Sequence, residues 1–306
     1  MGMRIGRQRR WAGAAPWQPA DACHPANHGD RRYARHAGTG YVDAVQRIAV
    51  VTGASSGIGE ATARALAARG WHCVLVARRE ERLRAIAAEI GAEVEPCDIG
   101  DRAAVEALGA RVLERHGSLS VLVNNAGIPA RKPLPEVDLD LVEEVARVNY
   151  LGGVWMTRTL LPGLRPTSGS PRSHVVNVTS VAGTVAFAPS GAYIAAKHAQ
   201  LAFSRSLQVS LRGSGIAVHS IVPGYVETEG FPQTSLLEHR VLRHIVVRPE
   251  QVARSIVRAI ERGRREVFVP WFPYRPAALL YGVAPGLASK LGAHGISKSR
   301  AFEKRR

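Results

Sequence analysis

From Gln46 onward the chain alternates short apolar, β-branched runs with longer stretches whose apolar positions recur every third or fourth residue. The runs Ile48–Thr52, His72–Ala77, Glu93–Pro96, Leu119–Val123, His174–Thr179, Ala217–Val222 and Glu266–Val269 predict strands, since such blocks suit a pleated, buried surface. The stretches Glu60–Arg69, Arg79–Ile90, Arg102–Arg115, Leu139–Leu161, Ala192–Arg212 and Pro249–Arg262 predict helices between them. Strands separated by helices pair in parallel through crossovers. The expected fold class is therefore α/β, a doubly wound parallel sheet of about seven strands with helices on both faces.

The pattern changes at both ends. After Pro270, Leu279, Val283, Leu287 and Leu291 fall at steps of four, the apolar stripe of a helix, and Pro285 divides that stripe into two short helices. Residues 1–44 show no apolar periodicity and read as a disordered basic tail, or as an upstream false start of a protein beginning near Val42 or Val45. The basic run Arg4 to Arg10 is followed by no apolar segment, which excludes a secretory or twin-arginine signal, and the absence of serine argues against a transit peptide. The division is a tail (1–44), a sheet domain (45–270) and a helical extension with a basic end (271–306).

Charge changes the picture only at the ends. The formal net charge is +16, but residues 45–253 hold 22 basic and 19 acidic side chains, so the excess sits in the two ends. Nucleic-acid binding lacks the interleaved aromatics it needs, whereas contact of residues 271–306 with a membrane surface remains open. The longest uncharged stretch, Ser173–Ala196, is studded with polar residues, so no spanning helix is expected. Cys23, Cys73 and Cys97 are too few for a disulfide framework, which points to the cytoplasm, with the protein either free or peripheral to a membrane. Cys73 and Cys97 fall in or beside strands and read as buried and inert. Cys23, His24, His28 and His36 read as ligand-capable residues in a floppy tail, so no metal site is expected.

Candidate chemistry begins at Thr52-Gly53-Ala54-Ser55-Ser56-Gly57-Ile58-Gly59, between an apolar strand and an Ala-rich helix. Glycines there allow a tight turn, and the helix start offers unpaired N–H groups to a pyrophosphate. The spacing is G-x-x-x-G-x-G. Asn124-Asn125-Ala126-Gly127 ends the fourth strand, and Val148-Asn149-Tyr150-Leu151-Gly152 follows. Ser180 ends the fifth strand, Tyr193-x-x-x-Lys197 opens the next helix, and Pro223-Gly224-Tyr225-Val226-Glu227-Thr228 follows the sixth strand. Over residues 46–270 the chain resembles the short-chain dehydrogenase/reductase family in its single-domain, Rossmann-type branch.

The resemblance implies an oxidoreductase that moves a hydride between a nicotinamide and a small-molecule alcohol/ketone pair, in a homo-oligomer, dimer or tetramer. It implies cofactor contacts from Gly53, Ser55, Ser56, Gly57, Ile58, Gly59, Asn124, Ala126, Gly127, Pro223, Gly224 and Val226. Asp98 would meet the adenine or else cap the helix that begins at Arg102, and Thr228 would meet the carboxamide. Asn149 would hold a water linking Lys197 to solvent. The second strand ends Ala77-Arg78-Arg79, without the carboxylate that a free ribose 2′-hydroxyl wants and with a guanidinium that suits a 2′-phosphate. NADP(H) is expected before NAD(H), with Arg78 as the phosphate contact and Ser55 assisting.

Carbonyl chemistry needs a proton donor. Lys197 lies one helical turn after Tyr193, so its ammonium can bring the phenol, ordinarily near 10, toward neutral. Tyr193 is then the general acid in reduction and base in oxidation, Ser180 bonds the substrate oxygen, and Lys197 also holds the nicotinamide ribose. Phe231, Leu236, Leu237, Val241, Leu242 and Ile245, in Glu229–Val247 where this family builds its substrate lid, favour an apolar substrate. The competing readings are a nucleotide-binding regulator on the same fold and a membrane-surface protein acting through its basic ends.

Overall fold

The seven strands that form the central sheet are all parallel and lie in the order β3-β2-β1-β4-β5-β6-β9. They are β1 (Ile48–Thr52), β2 (His72–Ala77), β3 (Glu93–Pro96), β4 (Val121–Asn124), β5 (Ser173–Val178), β6 (Ile216–Pro223) and β9 (Glu266–Val269). The computed structural model describes residues 47–164, 172–186, 191–240 and 242–287. The expected tail, the second of the C-terminal helices beyond Leu287, and Val241 lie outside the described residues. The unit that carries the sheet begins at Ala44.

Burial on both faces explains the continuous apolar strands. In β1, Ala49 and Val51 join a core under α1 (Gly57–Ala67), α2 (Glu80–Ile90) and α8 (Pro249–Arg262). Ile48 and Val50 join the core on the other face, under α3 (Arg102–His116) and α5 (Gly152–Leu160). On that side Gly109 lets α3 approach α5, because a Cβ there would lie 2.1 Å from the Thr159 methyl carbon. Asp101 caps α3 by accepting from the backbone N–H of Ala103 and Ala104, so Asp98 is not the cap.

The long helix expected over Leu139–Leu161 is broken. It consists of α4 (Leu139–Ala146), a wide π turn (Arg147–Leu151) and α5. The following helix, α6 (Gly191–Ser210), comes where it was expected.

Strand order reverses between β1 and β4, and at such a switch point the loops diverge and leave a crevice beyond the strand ends. One side of that crevice is framed by a parallel ribbon of β7 (Tyr225–Val226) and β8 (Val246–Val247), whose connection carries the short helix α7 (Thr234–Glu238). The C-terminal helix α9 (Tyr274–Val283) locks onto this ribbon and ends before Pro285, as expected. Tyr274 donates its hydroxyl to Ile245 O at 3.0 Å and accepts from Tyr225 N at 3.2 Å. Its ring occupies the space over Gly224, where a Cβ would lie 1.9 Å from a ring carbon.

Cys73 and Cys97 are buried, and burial pushes their thiols up to about 12 and about 11, leaving little reactive thiolate. Between the neighbouring strands β5 and β6, His219 Nδ1–H donates to Arg264 O at 2.6 Å, so its Nε2 accepts from His174 Nδ1 at 3.0 Å. Burial, then His219 and Arg172, lower His174 from 6.5 to about 4. Between those two values the unfolded chain binds a proton that the folded chain refuses, so stability falls as the solution is acidified. The loss should approach about 3 kcal/mol across the window. Urea melts at a series of pH values should show His174→Gln flattening the slope by about one proton.

Candidate active site

A cleft of about 1210 Å³ opens at the switch point, running from the glycine loop to α7. At one end β1 turns into α1 through Gly53 and Gly57, whose φ values of 65° and 59° favour glycine. Gly59 sits behind the loop, where a Cβ would lie 2.2 Å from Gly53 O. Thr52 Oγ1 accepts from Asn125 N and Ala126 N at 2.9 and 3.1 Å, while Asn125 Nδ2 donates to Thr52 O at 3.0 Å. The side chain of Ser56 makes no capping bond at the start of α1, so the first-turn amides are left for a ligand. A loop this close-packed, with free amides at its rim, fits a dinucleotide pyrophosphate.

Two arginines follow β2. Arg79 donates to Ser55 Oγ at 3.1 Å and Ser56 Oγ at 2.6 Å, and also reaches Glu229 at 3.0 Å. Arg82 meets the other oxygen of Glu229 at 2.5 Å. Arg78 is 58% exposed, and its nearest carboxylates, Asp98 and Glu144, stand off at 3.7 and 3.9 Å.

At the inner end, Ser180 Oγ accepts from Ala182 N at 3.1 Å, and its hydrogen is directed to the Tyr193 phenol oxygen. Buried Lys197 spends two of its N–H groups on Val178 O at 3.2 Å and Gln200 Oε1 at 2.8 Å. Its Nζ stands 5.8 Å from the centre of the Tyr193 ring. Burial lowers Lys197 to about 7. Burial also pushes Tyr193 up to about 12, against the opposing pull of the Ser180 hydrogen bond and of Arg131. The expected shift of the phenol toward neutral is therefore not present in the protein alone, because desolvation penalises the charged forms of both groups.

Of the residues singled out from the sequence, Gly53, Ser55, Ser56, Gly57, Ile58, Arg78, Asp98, Ala126, Gly127, Ser180, Tyr193, Lys197, Pro223, Gly224, Val226 and Thr228 line the cleft. Gly59, Asn124 and Asn149 do not. Asn124 Nδ2 bonds Thr157 and Asn177, both at 2.9 Å, inside the protein. The next residue, Asn125, takes the cleft side instead. Buried Asn149 accepts from Ile128 N at 2.7 Å and donates to Ile128 O at 2.9 Å. It nears Lys197 only across Gly127, where a Cβ would lie 3.2 Å from Asn149 Oδ1 and 3.7 Å from Lys197 Nζ. Arg79, Arg131 and Glu229 line the cleft without having been singled out. Only Arg79, beside Arg78, carried a sequence signal.

The family model described as short chain dehydrogenase matches residues 47–236, which contain the glycine loop and the Ser180, Tyr193 and Lys197 set. The chain belongs to the short-chain dehydrogenase family. This short-chain dehydrogenase is an oxidoreductase with a nicotinamide-nucleotide-binding fold. It is 30% identical over 273 residues to dehydrogenase/reductase SDR family member 7B of Rattus norvegicus, covering 83% of this chain and 82% of that one. It is similar to an alcohol dehydrogenase of Thermococcus sibiricus complexed with 5-hydroxy-NADP, with a TM-score of 0.65 and 30% identity, over 73% of this chain and 95% of the other. It is also similar to a short chain dehydrogenase/reductase of Burkholderia phymatum in complex with NAD, with a TM-score of 0.69 and 27% identity, over 80% and 95% of the two chains.

Proposed function

We propose that this short-chain dehydrogenase interconverts an apolar ketone and its alcohol with NADP(H) as the nucleotide. The observation that carries the reading is the grouping of Ser180, Tyr193 and Lys197 in one cleft whose other end is the glycine loop. When bound, the nicotinamide supplies the hydride in reduction and accepts it in oxidation. Tyr193 gives its phenolic proton to the carbonyl oxygen in reduction and takes it back in oxidation. Ser180, whose hydroxyl bonds the Tyr193 phenol in the protein alone, donates its hydrogen to the same carbonyl oxygen. Lys197, with two N–H groups tied to Val178 and Gln200, turns its third toward the cofactor ribose and favours the phenolate. Asn149 braces the loop at Ile128 beside Lys197, and the first-turn amides of α1 hold the pyrophosphate.

Two features support NADP(H). Arg78 makes only long ion pairs, 3.7 Å to Asp98 and 3.9 Å to Glu144, and can turn to a 2′-phosphate, whereas Arg79 is engaged by Ser55, Ser56 and Glu229. No carboxylate stands at Ala77 to accept from a free 2′-hydroxyl. An apolar substrate is supported by Phe231 and Leu236 on the cleft wall, with the Phe231 ring centre 5.7 Å from that of Tyr193. Leu237 and Leu242 face outward, at 41% and 37% exposure, and Ile245 packs toward Tyr274, so the apolar lid is narrower than its composition suggests.

A panel of alicyclic and long-chain ketones, with sugars as the contrast, tests this through the loss of NADPH absorbance. Turnover on apolar ketones and none on sugars is expected. NADPH binding without turnover across the panel would favour a nucleotide-binding regulator.

A further inference from the structure

The outer face of α9 and the segment before it are apolar and open. Trp271, Phe272, Leu279, Val283 and Leu287 are each more than half exposed, and Val283 reaches 86%. The inner face is spoken for: Tyr274 and Ala278 pack against Val222 and Phe268. This places Leu279 and Val283, four residues apart, on the side of α9 away from the sheet, with Trp271 and Phe272 just before the helix and Leu287 just after it. A monomer seldom leaves so many large apolar groups in one short segment.

Charge says what fits this face. No aspartate or glutamate occurs from Val267 to Phe302. The chain that follows the patch carries Lys290, Lys298, Arg300, Lys304, Arg305 and Arg306 against the single acid Glu303. We infer that α9 and the basic end dock this protein on the surface of an anionic bilayer. Trp271, Phe272, Leu279, Val283 and Leu287 would enter the headgroup boundary, and the basic residues would lie against anionic lipid. Apolar side chains with a Trp or Phe on one face and cations alongside are the chemistry of a helix lying in a membrane interface. Among the described residues no helix is long and apolar enough to cross a membrane. A second copy of the chain fits the face less well, since it would bring two basic ends together.

The docking helix adjoins the site through its opposite, inner face. Tyr274, at the start of α9, packs on Gly224 and holds Tyr225, and both of those line the cleft. A bilayer on the outer face of α9 therefore lies about one helix diameter from the cleft wall, close enough for an apolar substrate dissolved in lipid to pass to it. That last consequence rests on the proposed apolar substrate; the docking itself does not.

The test is flotation of the full chain with vesicles of phosphatidylcholine alone and with about one-third phosphatidylglycerol, at physiological salt. The protein should float with the anionic vesicles and stay behind with the neutral ones. Leu279→Glu combined with Val283→Glu, both at exposed positions, should weaken partitioning by at least about ten-fold and leave NADPH binding unchanged. No flotation on anionic vesicles, or equal flotation of the variant, would overturn the proposal. So would a dimer by light scattering that the same two substitutions dissociate. Neither result depends on any activity, so failure of the functional reading would be seen separately.

Discussion

Replacing Tyr193 with phenylalanine should abolish turnover and leave NADPH binding and the fold almost unchanged. The substitution removes one hydroxyl, and the ring keeps its place beside Phe231, 5.7 Å between centres. General acid–base groups contribute about 10²–10⁴ in rate, so the loss should be at least that large. Initial rates beside a nucleotide titration of the purified variant decide it, and a rate within about ten-fold of wild type would defeat the assignment. The ionisation of the site adds a directional expectation. Burial holds the phenol up at about 12, so the proton that reduction needs is present throughout the neutral range. Oxidation needs the phenolate and should climb as the solution becomes more alkaline. Lys197→Met should behave differently from Tyr193→Phe, losing rate and nucleotide affinity together, because its N–H groups serve both.

The second large effect concerns the nucleotide. Ala77→Asp combined with Arg78→Ala should turn the preference from NADPH toward NADH. Arg78 stands beyond hydrogen-bonding distance of Asp98 and Glu144, so removing it disturbs little in the protein itself. A charge-assisted hydrogen bond contributes about 1.5–3 kcal/mol, so losing it should weaken NADPH roughly 10- to 100-fold. The new carboxylate adds repulsion toward a 2′-phosphate and an acceptor for a 2′-hydroxyl. Dissociation constants of both nucleotides at one ionic strength measure the outcome. A double variant that keeps its NADPH preference would leave Arg79 and Arg82 as the phosphate contacts, with Glu229 displaced to free them.

The inner strands were legible because a buried parallel strand must be apolar on both sides, and β1 and β2 match their expected bounds residue for residue. The edge strands β3 and β9 match theirs as well, although β3 carries Glu93 and Glu95. The break inside Leu139–Leu161 was not legible, since a π turn shifts the register of a helix without interrupting its apolar spacing. The roles of Asn124 and Asn125 were not legible either. Neighbouring residues at a strand end point to opposite sides, and two asparagines in a row do not say which side is the cleft. Asp98 and Asp101 posed the same problem, and the backbone N–H groups of Ala103 and Ala104 resolve it in favour of Asp101 as the cap. Contacts over long separations were the least accessible. Nothing local announces that Glu229 will meet Arg79 and Arg82, about 150 positions away, and so tie the lid to the helix after β2.

The pairing of Gly224 with Tyr274 bears on how this sequence can drift. The two positions stand in separate segments, on either side of the Pro270 boundary drawn from composition, yet each sets the size allowed to the other. A lineage can enlarge residue 224 only after the ring at 274 has been trimmed. Trimming that ring also gives up the hydroxyl that joins Tyr225 to Ile245 across the base of the lid. Change at the C-terminal end is thereby constrained by the wall of the cleft, and the two must be inherited as a matched set.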